Sequence, residues 1–162
     1  MLDSQNELNT LYDQDLYRWI ETTIYEIQHQ NLDQLDWENL ILELEDLGNS
    51  QKHELESRLL VLFEQLLKLA YWQEEREYNS RGWKGTIIEQ RKQIQKLLKR
   101  NPSLKSFWLE IFSETYQDAR DITIVKTGLD AEVFPKEVFC TPEQAIDETY
   151  LATRTAIIIL MS

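Results

Sequence analysis

Cysteine occurs once in this chain of 162 residues, at Cys140. A lone thiol excludes an internal disulfide and cannot build a cysteine metal site, so a reducing compartment, the cytoplasm, is the expected location. Proline occurs three times and glycine four times. So few turn-forming residues argue against a sandwich or barrel and favour long helices. No apolar run approaches the length of a membrane span, and the first residues lack the positive start and apolar stretch of a signal peptide, so no membrane partner is expected. Phosphate-binding glycine loops, Gly-x-Ser-x-Gly elbows and His-Glu-x-x-His pairs are all missing. His53 and Glu56 share a helix face, but di-iron bundles use the opposite order on two helices, so His53 is expected to be an exposed helical residue. Cys140 has no neighbouring His or Lys to activate it as a nucleophile. No metal, no cofactor and no catalytic residue is expected, and the chain leans away from being an enzyme.

Positive charge is scarce where the chain begins. Residues 1 to 50 hold twelve Asp or Glu against Arg18 alone, a net charge of −11. Residues 51 to 100 are net +4 and the remainder net −5, which gives the overall −12. The basic middle concentrates in Arg81, Lys84, Lys92, Lys96, Lys99 and Arg100. These side chains can face phosphates, solvent, or the acidic first third of the same chain.

What the chain has in quantity is apolar residues at steps of three and four, the spacing of an amphipathic helix. Asp13 or Asp15 can cap a first helix whose apolar face is Leu16, Trp19, Ile20, Ile24 and Ile27 and which ends near Asn31. Asp36 opens a second helical region, with Glu38 in its first turn. Gly48-Asn49-Ser50 then interrupts, and either a break or a kink is expected there, the break first. From Lys52 to about Tyr78 two adjacent stripes, Leu55/Leu59/Leu62/Leu66/Leu69 and Leu60/Phe63/Leu67/Ala70, predict the central helix of a bundle. Trp83 to Arg100 forms the next helix, with Trp83, Ile87, Ile94 and Leu98 inward. Asn101-Pro102-Ser103 restarts the chain, Asn101 acting as N-cap, and Gly128 ends the helix beyond that restart. After Gly128, Phe134-Pro135 packs onto the bundle, and a short helix runs from about Pro142 to Asp147. The predicted fold is all-α: a single-domain bundle of about four to six helices with an irregular C-terminal segment. Its parts are a disordered or loose N-terminus (1–11), the helical bundle (12–150) and an apolar C-terminal tail (151–162) whose run 156–161 has no helical period.

One polar cluster stands out. Glu43 and Glu45 lie beside the apolar stripe of their helix, and Arg91 lies one turn after Ile87, near the apolar edge of its own. Charges so placed need partners to offset desolvation. The structural reading is an internal salt bridge between helices. The functional reading makes Glu43, Glu45, Arg58, Lys68, Trp83 and Arg91 the lining of a cleft.

Tyr12-Asp13-x-Asp15 with Trp19, Asp36, Glu43-x-Glu45-x-Leu47-Gly48, Arg58-Leu59, Leu66-Leu67-Lys68, Trp83, Arg91, Pro102-Ser103-Leu104, Tyr116-x-x-Ala119-Arg120 and Phe134-Pro135 occur in that order. The ordered set resembles bacterial domain of unknown function family twenty-nine, which is abundant in cyanobacteria. The resemblance covers about residues 12 to 150. It implies an all-helical, bacterial cytoplasmic protein and carries no activity with it. Where members commonly show His-Leu-Leu-Lys-Trp this chain has Gln65-Leu66-Leu67-Lys68-Leu69, and where many have two adjacent Glu it has Leu42-Glu43. Glutamine neither titrates nor ligates well, so a metal or proton-transfer role built on that histidine fails here.

The leading expectation is a protein-interaction or scaffold module, meeting a protein partner or a second copy of itself through the acidic N-terminal face or the apolar tail. Nucleic-acid binding through the basic helix 81–105 is the alternative, as is a metal-dependent hydrolase using Glu43 and Glu45.

Overall fold

The computed structural model describes residues 4–150; the apolar tail 151–162 lies outside them. Among the described residues the chain is all helical, with six α-helices and no strand. They are α1 (Ser4–Gln14), α2 (Leu16–Gln28), α3 (Trp37–Tyr71), α4 (Gln73–Arg100), α5 (Lys105–Thr127) and α6 (Pro142–Ile146). Three single 3₁₀ turns, Leu32–Gln34, Pro102–Leu104 and Ala131–Val133, fill connections between them. The chain divides into two compact units, Met1–Ser50 and Gln51–Ser162, and α3 belongs to both.

In the first unit residues 4–11, part of the segment expected to be disordered or loose, are helical within α1, which ends where Asp15 caps α2 by accepting from the Arg18 N–H at 3.1 Å. Leu8, Trp19 and Leu35 are buried here, and Tyr12 meets Trp19 edge-on with ring centroids 5.1 Å apart. Asp36 precedes α3 as expected, its carboxylate accepting from the Asn39 N–H at 3.3 Å and from the Asn39 amide at 2.6 Å.

The expected break at Gly48-Asn49-Ser50 is absent, and α3 runs through the triplet for 35 residues. One glycine inside a helix costs only about 1 kcal/mol relative to alanine, and Gly48 does not adopt a positive φ. The strong helix formers on either side prevail. The break comes instead at Trp72, with φ −86° and ψ 74°. Arg76 folds back there and donates to the Ala70 carbonyl at 2.7 Å, satisfying one of the carbonyls orphaned at the end of α3. Helix α4 therefore begins ten residues before the expected Trp83.

The second unit is built on the Leu55–Ala70 half of α3, whose two predicted stripes are buried apart from half-buried Leu60. Phe63 sits among the rings of Phe112, Tyr116 and Phe139, with centroids at 5.1, 5.3 and 6.4 Å. Helix α4 contributes Trp83, Ile87, Ile94 and Leu97, and α5 contributes Trp108, Ile111, Phe112, Tyr116 and Ala119. Asn101 closes α4 rather than capping the next element: its amide donates to the Leu97 carbonyl at 3.0 Å. Gly128 ends α5 in the left-handed region at φ 67°, as predicted. Phe134 packs into the core, and α6 is held by a capping box between Thr141 and Gln144.

Candidate functional site

The first unit turns an unusual amount of apolar surface outward. Along α2 the predicted apolar face splits: Trp19 is buried, whereas Leu16, Ile20, Ile24 and Ile27 are exposed, and exposed Tyr17 joins them. These five span about 100° of the helix circumference, a continuous stripe. The first part of α3 repeats the pattern, with Trp37, Ile41, Leu44 and Leu47 exposed, Leu44 to 60% of its surface. Scattered apolar residues on a surface are ordinary, but two helical stripes of large side chains are not. The sequence of residues 1 to 50, which supplies both stripes, holds twelve acids and one Lys or Arg. Glu43 is half-buried on α3 and accepts a hydrogen bond from the Tyr12 hydroxyl at 2.8 Å, which ties α1 to α3. That bond, with a smaller contribution from desolvation, holds the Tyr12 hydroxyl above its usual pKa. Glu45 is exposed. Two positions on, it points about 200° away from Glu43, so these carboxylates do not converge as a metal pair requires.

The other members of the expected polar cluster lie in the second unit, and each has its own surroundings. Arg58 donates from Nε and Nη2 to Glu54 Oε1 at 2.9 and 2.7 Å, and from Nη1 to Gln90 Oε1 at 3.3 Å. Lys68 is half-buried; desolvation, then the charge of Lys126, lowers its pKa, while Glu64 opposes the shift. Trp83 stacks on Trp72 with centroids 5.8 Å apart and planes 17° from parallel. Arg91 is fully buried and donates from Nε to the Ala145 carbonyl at 2.8 Å, while neither Nη has a hydrogen-bond partner. Burial lowers its pKa, opposed by the charges of groups including Cys140 and Asp147. Instead of bonding to a carboxylate, Arg91 joins α4 to α6, and Gln95 repeats the attachment by donating to the Ile146 carbonyl at 2.7 Å. The expected lining is thus a set of separate structural contacts.

Two polar features were not anticipated from sequence. Glu64 is buried in the central helix and pairs with Lys126 of α5 at 2.6 Å. Its position one turn from both Leu60 and Leu67, inside an apolar stripe, was a readable signal. The second is a clamp on the segment after α5. Tyr116 donates to the Pro135 carbonyl at 2.7 Å, and Arg120 Nη2 donates to the carbonyls of Ala131 and Phe134 at 2.7 and 3.3 Å.

The six cations of the basic stretch, Arg81, Lys84, Lys92, Lys96, Lys99 and Arg100, are all exposed on α4. They fall within about 160° of arc and form one face. Next to the end of that face is a cleft of about 350 Å³ whose lining includes Leu98, Pro102, Trp108 and Ile146, with Lys99, Lys105 and Glu143. Its size lies at the small end of the range for small-molecule clefts. His53 is exposed, as expected, and Cys140 is buried, its thiol pushed up to about 12 by desolvation against the opposing charge of Arg91. Among the described residues no three His, Cys, Asp or Glu side chains are grouped as metal ligands. Among them also, no helix is long and apolar enough to cross a membrane.

No curated protein and no solved structure matches the chain. One family does: its description is "Domain of unknown function DUF29", its match covers residues 11–151, and the chain belongs to that family.

Proposed function

We propose that this chain is a cytoplasmic protein-interaction module that engages its partner through the N-terminal unit. The observation that carries the reading is the pair of exposed apolar stripes, Leu16/Ile20/Ile24/Ile27 on α2 and Trp37/Ile41/Leu44/Leu47 on α3. Apolar surface removed from water contributes about 25 cal/mol per Å², so an interface is the setting in which these side chains become favourable. The polar groups support a structural role beside it, since Glu43, Arg58 and Arg91 each hold neighbouring elements together. The test is recovery of the tagged full chain from its host cells in the presence of nuclease, comparing wild type with an Ile20→Ser/Ile24→Ser/Leu44→Ser variant. A protein partner recovered by wild type and lost by the variant is the expected result. Recovery of the chain alone, or equal recovery by both, would overturn the reading.

A second reading rests on the cationic face of α4, which suits a nucleic-acid backbone. It predicts binding that weakens steeply with salt, the slope shrinking as Lys92, Lys96 and Lys99 are replaced by Gln. An overall charge of −12 opposes it. Absence of any DNA or RNA shift at low salt would remove it.

A further inference from the structure

We infer that the occupant of the exposed α2 stripe is a cationic amphipathic helix presented by a partner protein, an inference that rests on the interaction-module reading. The α2 stripe fits such a partner geometrically. Leu16, Ile20, Ile24 and Ile27 recur at i, i+4, i+8 and i+11 and extend over about 17 Å, the length of three turns of a second helix packed alongside. Helix recognition uses anchors at this spacing.

Charge then selects among possible occupants. Residues 1 to 50 carry −11, and Arg18 is the single Lys or Arg among them. A partner with Lys or Arg flanking its apolar face is attracted by this net charge, whereas an anionic bilayer surface or a nucleic acid is repelled. A second copy of the same unit brings another −11 against the first. The cations of α4 do not supply the missing partner either. The apolar side of α4, including Ile87 and Ile94, is already buried in the core of the second unit, so α4 offers charge without an apolar face. What remains is a helix that is basic on one side and apolar on the other.

The probe is a synthetic 18-residue helix with Leu on one face and Lys on the other, titrated into the full chain at about 0.15 M salt, where exposed charges beyond ~8 Å are screened. Two controls accompany it: the same composition in an order that destroys the apolar face, and a Leu/Glu helix of the same pattern. The expected result is saturable one-to-one binding in roughly the micromolar range. It weakens at least about tenfold for the scrambled peptide and for Ile20→Ser/Ile24→Ser, with helix content unchanged. Both isoleucines are exposed, so the double variant should retain its fold. Equal binding of the scrambled peptide would reduce the effect to bulk charge and overturn the inference. Equal binding by the double variant, or preference for the Leu/Glu helix, would do the same. Concentration-dependent dimerisation lost in the double variant would make a second copy the occupant, and tighter peptide binding after deletion of 151–162 would make it the tail. The module reading fails separately, when recovery from host cells returns the chain alone.

Discussion

Removing the Tyr116 hydroxyl tests whether the segment after α5 is tied down by hydrogen bonds or merely lies on the core. Tyr116→Phe keeps the ring, which is fully buried against Phe63 and Phe139, and deletes only the donor that reaches the Pro135 carbonyl at 2.7 Å. A neutral hydrogen bond contributes about 1 kcal/mol net, and an orphaned buried carbonyl costs a further 1–3 kcal/mol or so. Pro135 is only half-buried, so water can reach its carbonyl and the low end applies. We expect a loss of about 1 kcal/mol, or roughly 2–4 °C in Tm for a chain of this size. Arg120→Met removes the neighbouring bonds to Ala131 and Phe134 and, for a partly exposed guanidinium, should cost about the same. Urea unfolding of the two single variants and the double variant gives the coupling. If the clamp acts as one unit, the double variant loses less than the sum of the singles, and hydrogen exchange accelerates across 131–140 in each. Losses below about 0.3 kcal/mol with unchanged exchange in that segment would refute the reasoning.

Gly48→Ala should stabilise by about 0.5–1 kcal/mol, because the position is helical, its φ is not positive and a Cβ there meets nothing within 4 Å. Gly128→Ala should destabilise by about 1 kcal/mol despite equal space, since φ is +67°. Thermal melts that rank the pair the other way would contradict the helix path. Cys140 should resist alkylation at pH 8 in the native protein, because burial raises its pKa from 9.0 to about 12. The same shift sets a sign: the stability it contributes is full below about pH 9 and is lost as pH rises toward 12, at up to about 1.4 kcal/mol per unit. Cys140→Ala should flatten that alkaline limb, and an unchanged pH profile would contradict the assignment.

Local rules carried much of the fold. Asp15 and Gly128 act where capping chemistry places them, and the two stripes of the central helix, apart from half-buried Leu60, are buried in their predicted register. Other features had no local mark. The break at Trp72 lies in a sequence without Gly or Pro, and tertiary packing of Trp72 on Trp83 accompanies it. Helix α1 has only Leu8 and Leu11 as large apolar residues before Tyr12, too few to register as a period. Periodicity found the apolar face of α2 correctly but could not tell a face turned to the core from one turned outward, since both have the same spacing. The polar cluster failed for a related reason. Sequence position shows that Arg91 is near a core, yet its partner, a backbone carbonyl at Ala145, lies 54 residues away and carries no residue-type signature.

The continuity of α3 has a practical side. A helix of 35 residues extends about 52 Å, and the boundary between the two units falls inside it, between Ser50 and Gln51. Cutting between Ser50 and Gln51 would leave four unpaired carbonyls on one fragment and four unpaired N–H groups on the other. Each fragment would fray at the new end, the longer one toward Leu55 and Leu59 of its core. A dissection of this protein that respects its backbone therefore lets the two fragments overlap, each keeping a turn or two of the helix on the far side of the Gly48-Asn49-Ser50 triplet.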